Sequence, residues 1–426
     1  MRINYPIMNP FDGLTRQREV FLNKLSGIQS PIPFSYDTLK RVGESKMDNN
    51  AIGYISGNAG DGSTTDENCS AFNKWKIVPR VLKNVVDRNM NIELFGQSFK
   101  TPVFLSPIGG LELAHPEADL AVAKAAAKLK LPFIFSSQAS FTMEACAKEM
   151  GDEVRWLQLY WGKEKKLVRS FIERAEAVNC KAIVLTVDTS VLGWRPQDLS
   201  NAYLPFLRGL GIAQYINDPV FWEIANTLPD EKSQVKVTPE SLEFMIKLAK
   251  KFPGSSLENL KTKRALKAVK TFTKIFSNPA LVWEDLDWLR NLTDLPIILK
   301  GIVHPADAQK AKDLGIDGII VSNHGGRQLA GSISSLDALT WIGKEVKDFP
   351  LMIDSGIRNG EDVFKAIALG ASAVCIGRPY VYGLAIDGTN GVEEVMRNII
   401  GSFDMAMALT CCQDINEVKN SVLYTV

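Results

Sequence analysis

The sequence predicts a closed eight-stranded β/α barrel interrupted by one long insertion, and three observations predict it. From about residue 100, short β-branched runs alternate with amphipathic helical stretches, there are eight such runs, and polar or glycine residues close nearly every one. Strands that alternate with helices imply parallel crossover units, and eight such units close a barrel. The runs are Val103–Pro107, Phe133–Ser137, Arg155–Tyr160, Ala182–Val187, Pro296–Lys300, Gly318–Asn323, Leu351–Asp354 and Ala373–Gly377. Helical patterns lie between most of them, at Ala118–Lys130, Lys165–Val178, Pro305–Leu314 and Asp362–Leu369. Most intervals are about fifteen to twenty-five residues, but roughly a hundred separate Val187 from Pro296. This insertion, Ser190–Leu281, follows the fourth strand. It emerges where barrel active sites form and is expected to act as a lid or wall. The chain reads as one domain, 1–426: an N-terminal segment 1–100, a barrel 101–410 containing the lid 190–281, and a C-terminal tail 411–426.

Composition supports this size of core and narrows the partners. Hydrophobic residues are 46% and charged residues 23%, which excludes wholesale disorder. Forty-nine basic against forty-eight acidic side chains give a formal charge of +1, no field for nucleic acid, so a small substrate is expected. The six cysteines form no C-x-x-C and have no histidine spaced to complete a zinc site. They read as buried thiols in a reducing compartment. The first thirteen residues lack the apolar segment of a secretory signal, and no later window holds about 18 consecutive apolar residues. The expected location is cytoplasmic.

In the first hundred residues a charged helix is expected at Thr15–Ser26, followed by Pro-punctuated loops and a glycine-rich run, Gly53–Gly62. No strand precedes those glycines, so the dinucleotide fingerprint lacks its context. Tyr54, inside this flexible-looking segment, could reach into a pocket with its hydroxyl or simply pack. In the lid, the basic amphipathic stretch Lys261–Lys274 reads as a solvated outer face in preference to a membrane-surface helix.

In a parallel barrel the C-terminal strand ends converge on one site. Pro107, Ile108 and Gly109 close the first strand, Ser136 the second, Gln158 and Tyr160 the third, Thr186 and Asp188 the fourth, and Lys300 the fifth. The sixth leads into V-S-N-H-G-G-R-Q-L, which holds His324, one of three histidines, and Arg327. A histidine is the easiest general base near neutral pH, and an arginine fork suits a carboxylate. Together they fit chemistry at the carbon next to a carboxylate, although a structural histidine in a turn is the plainer reading. The last two strands end in Asp354, Ser355, Gly356 and Arg358, and in Gly377 and Arg378. Strand ends seven and eight are the usual phosphate site of such barrels, so a phosphorylated ligand is expected there. No metal cluster is expected, because Asp188 and Asp354 read as isolated carboxylates. Lys300 could form a Schiff base, as in an aldolase, or serve as a fixed charge on a cofactor.

The motifs V-S-N-H-G-G-R-Q, L-P-I-I-L-K-G-I, W-L-Q-L-Y, L-T-V-D-T, D-S-G-I-R-N-G and I-G-R-P, in that set and at barrel spacing, resemble the FMN-dependent α-hydroxy-acid oxidase and dehydrogenase family. The resemblance runs from about Gly53 to Ala408, and G-Y-I-S-G-N-A-G, S-P-I-G-G, G-W-R-P-Q-D-L and D-S-G are most similar to its lactate 2-monooxygenase branch. It implies an FMN enzyme acting on a small L-2-hydroxy acid, L-lactate first, that retains the 2-oxo acid and decarboxylates it oxidatively (lactate and molecular oxygen to acetate, carbon dioxide and water), with a homo-oligomer (tetramer or octamer) as the assembly. The flavin phosphate would sit on Gly356, Arg358, Gly377 and Arg378, and Ser136, Gln158 and Thr186 would bond the ring edge. Lys300 would lie near flavin N1, which resolves it against the Schiff base, while Pro107, Ile108, Gly109, Ser322, Asp354 and Ser355 complete the implied cofactor set. Gly109 stands where relatives commonly carry alanine, and Gln138 where they often place an apolar or aromatic residue. For the substrate, the resemblance implies a carboxylate clamp of Arg327 and Arg195 with Tyr54, and Tyr160 and His324 at the α-hydroxyl. Asp188 would stabilise the imidazolium of His324. An oxidase releasing peroxide, a quinone- or cytochrome-linked dehydrogenase, and an inactive flavin-binding barrel are the alternatives.

Overall fold

The computed structural model describes residues 11–228, 238–252 and 254–426. Residues 1–10, read for a secretory segment, and residues 229–237 and 253 of the expected lid lie outside them. All eight expected strands form one closed parallel barrel: β1 Val103–Leu105, β2 Phe133–Ser136, β3 Arg155–Tyr160, β4 Ile183–Thr186, β5 Ile297–Ile302, β6 Gly318–Val321, β7 Leu351–Ile353 and β8 Ala373–Ile376. Neighbours pair in chain order, and β8 closes on β1 through Val374 with Val103 and Ile376 with Leu105. Nearly every strand residue is buried, as helices on the outside of a parallel sheet require. The hairpin Ile92–Leu94 and Gln97–Phe99 plugs the N-terminal mouth, with Phe95 and Phe99 edge-on to Trp156 at 5.8 and 6.3 Å.

Several strands stop one or two residues before the expected limit, at Leu105, Thr186, Val321, Ile353 and Ile376. The polar residues beyond leave the ladder and turn towards the barrel axis, which is how they reach a common site. Strand β5 runs further, to Ile302, through an irregularity between Lys300 and Ile302. Gly301 adopts φ 112° there, and a Cβ would stand 2.6 Å from that of Asp188. Glycine therefore lets β5 press against the residue after β4.

The glycine-rich run is not a flexible loop. Its first turn belongs to the helix Asn49–Ser56, whose N-terminus is capped by Asp48 accepting from the Ala51 amide at 2.8 Å. Ala51, Tyr54 and Ile55 are buried on its inner face, so cap and burial outweigh glycine's low helix propensity. The expected helix Thr15–Ser26 is found at Gly13–Leu25. Further elements give no clear periodic signal: Ser63–Ser70, the antiparallel pair Trp75–Ile77 with Leu423–Thr425, and the long helix Arg378–Leu409, broken at Asp387 and Gly388. The tail is thus paired to the N-terminal segment.

The insertion after β4 carries helices including Pro196–Ser200, Pro219–Thr227 and Arg264–Ile275. The stretch Lys261–Lys274 is split at Lys263, which is left-handed. Its apolar face is covered from within: Phe272 stacks on Phe276 at 5.0 Å and meets Tyr215 edge-on at 4.8 Å. That leaves the basic face turned outward. No helix among the described residues is long and apolar enough to cross a membrane. All six cysteines are unpaired thiols.

Candidate active site

The C-terminal strand ends open into one cleft with about 1140 Å³ of space between atoms, its mouth included. It is lined by every residue singled out from the sequence except two, Asp188 and Ser322. Both stand behind the lining. Ser322 is fully buried, its Oγ taken by Lys300 Nζ at 2.9 Å and the His324 amide at 3.1 Å, so it positions other groups and does not face a ligand.

His324 lies in the turn after β6 with φ 58°, a left-handed conformation uncommon for a side-chain-bearing residue. The turn is pinned by Asn323, whose amide exchanges hydrogen bonds with Asn68 at 2.7 and 2.8 Å. Asn68 belongs to Ser63–Ser70, so the N-terminal segment holds the base in place. His324 Nδ1 lies 2.8 Å from Asp188 Oδ1. A carboxylate only accepts, so Nδ1 carries the proton and Nε2 is the free base. Nε2 faces the Tyr160 hydroxyl at 3.5 Å. Burial pulls the imidazole pKa below its ordinary value, against the opposing pull of Asp188, so the ring is neutral at neutral pH. Burial also works against the Asp188 carboxylate, but its pairing with the His324 ring N–H and the nearby Lys300 charge outweigh it and hold its pKa below the ordinary value. Thr189 Oγ1 adds a donor to the same oxygen at 2.9 Å.

Asp354, read as isolated, pairs with Lys300 at 2.9 Å. Burial works against the Lys300 ammonium, yet Asp354 and Asp188 hold its pKa above the ordinary lysine value. Beside this pair, a buried polar ladder joins three strand ends: Ser136 Oγ donates to Gln158 Oε1 at 3.3 Å, and Gln158 Nε2 donates to Thr186 Oγ1 at 3.1 Å.

Across the cleft stand Arg327 and Arg195. Arg327 Nη1 donates to the carbonyls of Tyr54 and Gly57, the latter at 2.9 Å, leaving Nε and Nη2 without an acceptor among the described residues. Arg195 Nε donates to the Arg327 carbonyl at 3.0 Å and Nη2 to Gln328 Oε1 at 3.1 Å. Burial and the adjacent Arg195 cation depress the Arg327 pKa, the mark of a pair short of negative charge. Asp198, 3.8 Å from Arg195 Nη1, offsets only part of it. Tyr54 carries the Arg327 guanidinium over its ring at 5.0 Å and lies in the cleft wall, on a helix and not on a mobile loop.

At the far end, Gly356 adopts φ 89°, and a Cβ there would stand 2.0 Å from the Asn68 carbonyl oxygen, so only glycine fits. Arg358 lies over the Tyr36 ring at 4.5 Å, and its buried Nε has no hydrogen-bond partner. Arg378 differs from expectation: its guanidinium holds the carbonyls of Ile55, Gly325 and Gly57 at 3.0 to 3.2 Å. It ties two loops together and leaves Arg358 as the less committed cation. Thr189, Gln328, Asp198 and Asn68 were not singled out from the sequence. Thr189 and Gln328 directly follow Asp188 and Arg327, a proximity that could have marked them; Asn68 has no such signal. Among the described residues no group of three or more His, Cys, Asp or Glu is placed to hold a metal.

Comparisons with known proteins agree with this arrangement. The model of the FMN-dependent dehydrogenase family matches residues 43–425. The chain is 39% identical over 396 residues to an L-lactate oxidase of Lysinibacillus sphaericus, covering 93% of this chain and 94% of that one. It is 34% identical over 428 residues to an FMN-dependent alpha-hydroxy acid dehydrogenase of Schizosaccharomyces pombe, covering 99% and 98%. Among solved structures, a mandelate oxidase with (S)-4-hydroxymandelic acid superposes with a TM-score of 0.76 at 30% identity, covering 92% of this chain and 99% of that one. A mandelate oxidase variant with the C4a-OH-FMN adduct gives 0.72 at 28%, covering 91% and 99%. An unpartnered buried arginine nitrogen beside a glycine cradle, a lysine charge held at the barrel axis and a base facing two under-neutralised arginines are what a flavin phosphate, a flavin ring and a small acid would occupy, and the chain belongs to the FMN-dependent dehydrogenase family, with FMN as its cofactor.

Proposed function

We propose that the enzyme oxidises a small L-2-hydroxy acid, L-lactate first among them, to the 2-oxo acid. The observation that carries this reading is the neutral His324, backed by Asp188 at 2.8 Å, facing the cleft opposite the Arg195 and Arg327 pair. FMN, when bound, supplies the two-electron acceptor. Arg358, with backbone amides near Gly356 and Gly377, would hold its phosphate; Ser136, Gln158 and Thr186 the ring edge; and Lys300 a fixed positive charge against it.

The residues of the chain do the rest. Arg327 and Arg195 bind the carboxylate and orient the α-carbon. Tyr160, kept protonated by burial, donates to the α-hydroxyl oxygen. His324 Nε2 takes the hydroxyl proton as the α-hydrogen leaves, and Asp188 offsets the charge that appears on the ring.

For the fate of the 2-oxo acid we favour retention and decarboxylation in place, giving acetate from lactate and oxygen. The lid supports this, since its Leu192, Arg195, Phe206 and Phe276 form part of the cleft wall and a wall of this kind can delay release. The L-lactate oxidase relative at 39% identity favours the second reading, release of pyruvate with hydrogen peroxide. Product analysis decides: FMN-loaded protein given L-lactate in air yields acetate without free peroxide on the first reading. Pyruvate with stoichiometric peroxide would establish the second. No loss of flavin colour with L-lactate under anaerobic conditions would overturn lactate as the substrate.

A further inference from the structure

Among the polar side chains that line the cleft, Gln138 has no role above. Gln138, on the loop after β2, is 6% exposed, lines the cleft, and its carboxamide has no hydrogen-bond partner among the described residues. Its backbone, by contrast, is fixed from several sides. The Gln138 carbonyl accepts from the Gly110 amide at 2.9 Å, and the lid's Ala213 amide donates to the Ala139 carbonyl at 3.1 Å. Asp119 Oδ2 accepts from the amides of Ser140 and Phe141 at 2.8 and 3.3 Å. A pinned loop thus presents an amide with no protein partner to the ligand space. A ligand that expels water from it without replacing the hydrogen bond is penalised.

Gly109 is the counterpart. A Cβ at that position would lie 3.1 Å from Gln138 Cβ, 3.2 Å from its carbonyl oxygen and 3.4 Å from Oε1. The carboxamide therefore rests in space that the missing methyl leaves open.

Four substituents on the α-carbon fix what Gln138 can touch. The carboxylate goes to the arginines, the hydroxyl to His324 and Tyr160, and the hydrogen towards the flavin. The fourth substituent meets the remaining wall, which is apolar at Leu192, Phe206 and Phe276 and carries the unpaired carboxamide of Gln138. We propose that Gln138, seated on Gly109, is a specificity-determining residue that hydrogen-bonds a polar group on the substrate's third carbon, so that the preferred class is 2-hydroxy acids bearing a 3-hydroxyl. This rests on the 2-hydroxy-acid reading above and, within it, puts a 3-hydroxylated acid ahead of L-lactate. A site with a buried hydrogen-bonding group rejects a ligand that leaves the group unpaired more strongly than an apolar pocket rejects a wrong size.

The test uses two nearly isosteric acids, L-glycerate and L-2-hydroxybutyrate, which differ in carrying hydroxyl or methyl on the third carbon. The FMN-loaded wild type should show the higher kcat/KM for L-glycerate by about tenfold or more. In Gln138→Leu and Gln138→Met the ratio of the two values should fall by about 10- to 100-fold. The dead-end ligands 3-hydroxypropanoate and butanoate, titrated through the flavin spectrum, should follow the same order. A wild type that favours L-2-hydroxybutyrate, or a ratio indifferent to residue 138, would overturn the inference alone. Failure to oxidise L-lactate, L-glycerate and L-2-hydroxybutyrate alike would overturn the 2-hydroxy-acid reading and this inference with it.

Discussion

Asp188→Asn removes one charge and little volume, and so isolates what the carboxylate does for His324. In the resting enzyme the pair is a buried hydrogen bond of 2.8 Å between a carboxylate and a neutral ring. Once the ring accepts the substrate proton it becomes an ion pair, and the stabilisation grows with the developing charge. With charge centres about 4 Å apart and an effective dielectric near 20, the attraction is about 4 kcal/mol. At about 1.4 kcal/mol per tenfold, that corresponds to roughly a thousandfold in the proton-transfer step. Asparagine can also present its amide to Nδ1 and favour the wrong tautomer, which extends the loss towards about 10⁴. The assay is anaerobic mixing of FMN-loaded enzyme with L-lactate, following the flavin absorbance. A loss of less than tenfold at unchanged FMN content would show that Asp188 only packs against the ring.

Three further outcomes follow from the same geometry. Because burial lowers the His324 pKa, the acid limb of kcat/KM should have its midpoint below about 6.5, the ordinary histidine value; a midpoint above it in a steady-state pH profile would reverse the assignment. Arg358→Gln should weaken FMN binding about 10- to 100-fold, the worth of a charge-assisted hydrogen bond, in fluorescence titrations of the apoprotein, and equal affinity would place the phosphate elsewhere. Burial raises Asp119 to about 7. The folded state therefore holds a proton that the unfolded state has lost, so this group's contribution falls as pH rises from about 4 to 7, by up to about 1.4 kcal/mol per pH unit. Urea unfolding of Asp119→Asn should lack that component, and an identical slope in both proteins would rule out a buried, protonated Asp119.

Much of the barrel was legible because a strand buried on both faces tends to be a continuous apolar run, and most of the eight runs are of that kind up to the polar residue that closes them, R-W-L-Q-L-Y with Arg155 and Gln158 being the exception. The exact strand ends were not, since the residues that leave the ladder for the site are the same polar residues that mark it. His324, Arg327 and Lys300 stood out by residue type at strand ends. Ser322 carried the same positional signal and yet faces Lys300 and His324 instead of the cleft, because position along a strand does not fix the side on which a hydroxyl finds its donors. Asn68 was invisible because its partner is 255 residues away. Tyr54 was placed in the right cleft for the wrong reason: glycine content suggested a mobile loop, whereas the Asp48 cap and a buried face make it helical.

Charge balance explains why the groups divide as they do. Around the axis, Lys300 pairs with Asp354 and the neutral His324 is hydrogen-bonded to Asp188, both within 2.9 Å, so each of these groups has a partner without a ligand. The arginines are not matched: Asp198 is 3.8 Å from Arg195 with its buried Oδ2 unbonded, and Arg327 has only carbonyls. Arg358 has a ring face, a carbonyl and an empty Nε. Carbonyls and ring faces orient a guanidinium without neutralising it, so each place needs an anion to complete it. The two incomplete places lie at different parts of one cleft, and a carboxylate and a phosphate are the two anions that the proposed chemistry brings. The polar deficit at Gln138 follows the same logic in a neutral form, which is why its occupant should carry a hydroxyl and not a charge.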